Sequence, residues 1–148
     1  MLISQITSVY KRNPNFKGLI IVCNYVFMRY FRVRMTNLSL KILFSPIIIG
    51  CKFITDFLFK CEIFASTVIG ESLIIHHVTE LVLNNGAKLD KNVTLNHNTA
   101  IGNKTDLDGN VLGCPTVGDN LVIGPHSILF WPIKIGDNVI IGAGICSY

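Results

Sequence analysis

The sequence predicts a mainly β protein, a parallel β-helix preceded by a short α-helical segment. Three observations predict it. From Ile63 onward, aliphatic residues recur at every sixth position: Ile63, Ile69, Ile75, then Leu83, Leu89, Leu95, Ile101, then Val117, Ile123, Leu129, Ile135 and Ile141. The next residue is repeatedly a turn former, as in Ile69-Gly70, Ile101-Gly102, Val117-Gly118, Ile123-Gly124, Ile135-Gly136 and Ile141-Gly142. Charge also divides along the chain: residues 1–60 carry nine Lys or Arg against Asp56 alone, and residues 61–148 carry four Lys against eight Asp or Glu. A surface strand repeats every two residues and a helix every three or four, so a six-residue period with turn residues fits neither. Three units close one triangular coil of about 18 residues, with each aliphatic side chain pointing into a narrow shared core.

Residues 1–60 form the first unit, helical and basic. Two apolar stretches, Gly18 to Phe31 and Leu40 to Phe59, predict two or three amphipathic helices that pack together and against the end of the β-helix. The first stretch is too short to cross a bilayer, and Lys41, Pro46, Lys52 and Asp56 interrupt the second. A helical cap within an oligomer is the expected role. Attachment to an anionic inner-membrane surface is the alternative, because basic and apolar residues share these helices. No cleavable signal pattern is present. The five cysteines are odd in number and lack metal-ligand spacing, which fits a reducing, cytoplasmic setting better than a disulfide framework or a zinc site.

Residues 61–148 form the second unit, the coils. Their rhythm breaks twice, by a step of eight from Ile75 to Leu83 and a step of sixteen from Ile101 to Val117. Insertions in a solenoid are expelled as bulges or loops, where function gathers. The first follows His76-His77 and is expected to contain Glu80 to Val82. The second, Gly102 to Thr116, is rich in turn formers and reads as a loop unable to continue a strand. His77 and His97 each lie two places after an inward aliphatic and are 20 residues apart. Less the two inserted residues, that is one coil, so the imidazoles are expected to stack on one face roughly 4.8 Å apart. His126, after Pro125, reads as a surface turn residue.

With those residues in view, the stretch Ser66 to Tyr148 resembles the hexapeptide-repeat acyltransferases, in the branch of serine acetyltransferases and colanic acid and capsular polysaccharide acetyltransferases. The segments that carry the resemblance are Ile75-His76-His77-Val78-Thr79-Glu80-Leu81-Val82-Leu83-Asn84, Leu95-Asn96-His97-Asn98-Thr99-Ala100-Ile101-Gly102-Asn103-Lys104 and Cys114-Pro115-Thr116-Val117-Gly118-Asp119-Asn120. The resemblance implies a left-handed coil, a homotrimer, and acetyl-CoA as cosubstrate in clefts between subunits, with no metal and no nucleic acid. It implies that His77 is the general base that takes the proton of an acceptor hydroxyl. An imidazole suits that task, since it accepts a proton near neutral pH without carrying a permanent charge.

The same resemblance assigns Glu62, fifteen residues before His77, as the carboxylate that orients the imidazole. His97 and Cys114 are expected to contact the acceptor, with a loop-anchoring role weighed for Cys114. Gly102, Gly124, Gly142 and Ala143 are expected to let the pantetheine arm lie close to the backbone, with Lys104 meeting a phosphate. Serine acetyltransferases carry an aspartate where this chain has His76 and a second histidine where it has Cys114. Both departures weaken a serine substrate, and the second matches the polysaccharide branch, so the expected acceptor is a sugar of an exopolysaccharide or capsule precursor, with serine as the alternative. A γ-class carbonic anhydrase needs three zinc histidines, two of them closely spaced, and is set aside. Family members run one or two coils further, so C-terminal truncation, and with it a non-catalytic scaffold, is a further expectation.

Overall fold

The structure, a computed structural model, describes residues 7, 10, 12, 13 and 15–147, so Lys11 of the basic segment and the terminal Tyr148 lie outside it. Among the described residues, helices α1 (Phe16–Arg34) and α2 (Leu38–Phe53) precede the strands, the second continued by a π-helical turn, Ile54–Leu58. Fifteen strands follow. Thirteen of them wind into a three-sided coil. The first face stacks β1 (Cys61–Ile63), β4 (Leu81–Leu83), β7 (Ala100–Ile101), β12 (Ile128–Leu129) and β15 (Cys146–Ser147). The second stacks β2 (Val68–Ile69), β5 (Lys88–Leu89), β10 (Thr116–Val117) and β13 (Lys134–Ile135). The third stacks β3 (Ile74–Ile75), β6 (Thr94–Leu95), β11 (Val122–Ile123) and β14 (Ile140–Ile141). Every pairing within these faces is parallel and joins residues one coil apart, such as Ile75 with Leu95.

The six-residue period is the physical cause of this shape. Each inward aliphatic lands on its equivalent in the next coil: Ile63, Leu83, Ile101 and Leu129 in one column, all 0–1 % exposed. The fifth residue of most units is buried too, as with Thr67, Leu73, Ala87, Val93, Thr99, Leu121 and Ser127. Small hydroxyls fit there because each finds a carbonyl: Thr67 donates to Asn84 O at 3.2 Å and Ser127 to Gly142 O at 2.9 Å. Cys61 lies in the same interior, where burial pushes its thiol up to about 12. Between the second and third faces, asparagines tie the coils together: Asn92 donates to Asn120 and Asn120 to Asn138, both at 2.9 Å. These three residues hold a positive φ that asparagine tolerates.

Helix α1 closes the first coil. Asn15 caps it, accepting from Gly18 N at 2.6 Å, and Ile21, Val22, Tyr25 and Val26 join the coil's core. Asn13 stands in for a missing strand, donating to Leu73 O at 2.9 Å and accepting from Ile75 N at 3.1 Å. A β-carbon at Gly18 would come within 2.5 Å of Ile75 O. Gly18→Ala should therefore destabilise by about 1–3 kcal/mol, because overpacking against a fixed carbonyl outweighs alanine's helix preference of about 1 kcal/mol. Thermal unfolding checks it: an unchanged or raised midpoint would mean the helix sits further from the coil.

Helix α2 departs from the amphipathic expectation. None of its residues is buried, and it is apolar nearly all round. The interruptions seen in sequence do not break it. Pro46 removes the donor to Ile42 O, and Ser45 Oγ replaces it at 2.8 Å. Lys52 and Asp56 pair with each other at 2.8 Å, one helical turn apart. Helix and π-helical turn run unbroken from Leu38 to Leu58, 21 residues long and apolar enough to cross a membrane by length and composition.

The insertions also differ in detail from expectation. The two extra residues bulge at the corner between β3 and β4, and Leu81 and Val82 are already strand. The longer insertion is not unstructured: it forms an antiparallel hairpin, β8 (Lys104–Thr105) with β9 (Val111–Gly113). Asp106 folds its turn, accepting from Asn110 Nδ2 at 3.0 Å, from Asn110 N at 2.8 Å and from Asp108 N at 3.0 Å, and the side-chain bond from Asn110, with its backbone bond next, holds the carboxyl below its ordinary range.

Candidate active site

The edge joining the third face to the first is lined with histidine. Ile75, Leu95, Ile123 and Ile141 are successive partners, so His77, His97, Pro125 and Ala143, two residues on, follow one another along this edge. His77 is exposed and His97 half-buried, and their ring centroids are 6.0 Å apart with the planes at 89°. The shared edge agrees with the sequence reading. The packing does not: the rings meet edge to face and at more than one strand spacing, because His77 sits in the bulge and holds a φ of 52°. Such a conformation is costly for a residue other than glycine, by about 1–3 kcal/mol, and such outliers gather at functional sites.

His126, the surface turn residue expected from sequence, also extends the column. It is exposed, yet its ring packs on His97 at 5.1 Å between centroids, and its backbone N–H donates to His97 O at 3.2 Å. Asn98 Nδ2 lies 3.2 Å from His126 Nδ1 and donates to it, which leaves the ring proton on Nε2. His97 thus lies between two imidazoles. Its own Nδ1 is buried without a hydrogen-bond partner among the described residues. A signal existed in the sequence: His126 is 28 residues after Asn98, the same offset that joins Leu95 to Ile123.

Glu62 stands on β1 beside Val82, half-buried, and makes no hydrogen bond or ion pair among the described residues. The structure therefore does not join it to His77 within one chain. Cys114, Gly102 and Lys104 are also apart from the histidines, since the hairpin leaves between β7 and β10, at the edge joining the first face to the second. There Cys114 Sγ donates to Asn84 Oδ1 at 3.3 Å, and Asn84 Nδ2 donates to Asn103 Oδ1 at 2.8 Å. Asn84, which the sequence reading did not single out, pins both ends of the hairpin. Burial raises the Cys114 thiol above its ordinary value, away from the thiolate a nucleophile needs. That fits an anchor.

The residues expected to border a coenzyme fall into two groups. At Gly102 a β-carbon would strike the Phe130 ring at 2.6 Å, and at Gly124 it would strike Gly142 C and Ala143 N at 2.7 Å. Both glycines are required by the packing of the next coil. Gly142 differs: only Ile145 Cγ1, at 4.0 Å, lies near, and Ala143 and Gly144 are exposed beside it. Lys104 lies with Nζ 4.2 Å from the Trp131 ring centroid, in a shallow hollow with Asn103 and Phe130. It is held on an aromatic face rather than free in a loop.

No protein-family model matches the chain. The chain is 30% identical over 111 residues to the putative colanic acid biosynthesis acetyltransferase WcaB of Escherichia coli (strain K12), covering 75% of this chain and 67% of that protein. It is 35% identical over 89 residues to a serine acetyltransferase of Mycobacterium tuberculosis (strain ATCC 25618 / H37Rv), covering 60% of this chain and 38% of that one. Among solved structures it is similar to the serine acetyltransferase CysE of Neisseria gonorrhoeae, with a TM-score of 0.76 at 21% identity over 98% of this chain and 57% of that one. At that identity the likeness carries the fold, the left-handed parallel β-helix. The chain spans between about half and three fifths of the length of such solved chains.

Proposed function

The chain belongs to the hexapeptide-repeat acyltransferase family, and from that premise we propose that it moves acetyl from acetyl-CoA to a hydroxyl on a sugar of an exopolysaccharide or capsule precursor. The observation that carries the reading is the exposed His77, set by its positive φ at an edge and flanked by His97. His77 takes the proton of the acceptor hydroxyl as its oxygen attacks the thioester carbonyl. The carbon–sulfur bond then breaks, and the proton on His77 goes to the departing sulfur. His97, with its unpartnered Nδ1 between two imidazoles, binds the acceptor or steadies the protonated base. Cys114 takes no covalent part.

A homotrimer completes the site in this reading. One chain presents the histidine edge and another presents Cys114, Lys104 and the hairpin, which lie on separate edges of a single chain. Gly142 and Ala143, small residues two rungs on from His97, let the pantetheine arm lie close to the backbone. The coil is reduced and cytoplasmic. Serine is the second reading, favoured by the 35% identity to a serine acetyltransferase. It is disfavoured by His76 and Cys114, where that enzyme class carries an aspartate and a histidine.

Thiol release from acetyl-CoA tests the proposal, with serine, nucleotide sugars and oligosaccharides as acceptors in turn. Release with a saccharide acceptor, retained in Cys114→Ala, is the expected result. Release with serine alone would move the assignment to the second reading, and the absence of both release and coenzyme binding would make the chain a scaffold. Light scattering should give about three times the 16.4 kDa chain mass.

A further inference from the structure

The geometry points to helix α2 as a lipid-facing element that holds the protein on an anionic membrane surface without crossing it. Its outer side carries Ile42, Leu43, Ile47, Ile49, Phe53 and Phe57, each at least half exposed. The side toward α1 is different: Asn24 donates to Cys51 O at 2.8 Å, and the Phe31 and Phe44 rings lie 5.3 Å apart. The charges of the C-terminal half, Lys52 and Asp56, neutralise each other. From Ile42 to Leu58 the helix thus offers, among the described residues, an apolar surface with no unpaired charge, the kind of surface that marks a protein or membrane contact.

Crossing is excluded by what flanks the helix. Before it, α1 is bonded to the coil by Tyr25 Oη and an Arg29 guanidinium nitrogen, both donating to Thr67 O at 2.8 Å. After it, β1 is the first rung of that same coil. A helix whose two flanks are fastened together has both on one side of a bilayer, so it lies in the interface.

Charge selects the occupant. A groove of about 460 Å³ between α1 and α2 is lined by Met28, Phe31 and Ile48 together with the cations Arg32 and Lys41. Arg34 is exposed beside them. Residues 1–60 carry a net +8. Two copies joined at this groove would set Arg32 and Lys41 against like charges, whereas an anionic lipid surface neutralises them while the neighbouring apolar side of α2 enters the acyl boundary.

Flotation of the full chain with vesicles tests the inference. Binding is expected to phosphatidylglycerol vesicles and to be at least tenfold weaker to phosphatidylcholine. Arg32→Glu with Lys41→Glu should lower binding to phosphatidylglycerol by about fivefold or more per site, and high salt should do the same. Ile49→Glu should abolish binding with the circular dichroism of the coil intact; if that variant fails to fold, the charge reversals decide. Equal binding to both lipids, or no binding with an assembly that Ile49→Glu breaks into smaller units, would overturn it. In the last case a second copy covers the face.

Discussion

His77→Ala should lower acetyl transfer by about 10²–10⁴-fold, the usual worth of a positioned general base, with coenzyme binding and the fold retained. The loss belongs in kcat, because the imidazole acts on the proton in flight and not on the ground-state complex. A companion variant is needed because residue 77 holds a φ of 52°, where alanine is strained. His77→Asn removes the proton acceptor with a residue that accepts this conformation, so both variants should fall together if chemistry is responsible. An active His77→Asn enzyme would end the role of this residue as base. His126→Ala serves as a contrast: its ring touches His97 and not the bulge, so its loss should be smaller and should shift with acceptor concentration.

The second large effect is on stability. Leu83→Ala should cost about 2–5 kcal/mol. Leu83 is 0 % exposed and lies in register between Ile63 below and Ile101 above, so truncation leaves a void in a column that cannot collapse sideways. Its neighbour on the same strand, Val82, is 40 % exposed and points outward. Val82→Ala should cost under about 1 kcal/mol, as surface substitutions do. Urea denaturation of both variants checks the pair. Similar losses would mean that inward and outward sides are not distinguished at this strand. Coils stack as nearest neighbours, so loss at one rung should also loosen the rungs beside it.

The histidine edge was half legible in sequence. Counting coils from inward aliphatics places His77 and His97 on one edge, because a solenoid converts spacing along the chain directly into position around the prism. Ring orientation was not legible, since it depends on the left-handed backbone of the bulge at His77. His126 was passed over because it is one step out of register with His97, and only side-chain packing closes that gap. Gly102 and Gly124 are expected from sequence to let a pantetheine arm lie close to the backbone; the structure adds that Phe130 and the next coil also come within reach of a β-carbon there. A glycine in sequence reports that something comes close, not what it is.

The sequence by itself determined the solenoid, its two insertions and the edge on which the paired histidines fall, because a strict period leaves a repeating core no other register. Only the tertiary structure decided that Cys114 and Lys104 occupy a different edge from His77, that Asn84 anchors the hairpin, and that α2 stays uncovered while α1 caps the coil. Those outcomes rest on contacts between residues distant along the chain, whose geometry no local pattern encodes.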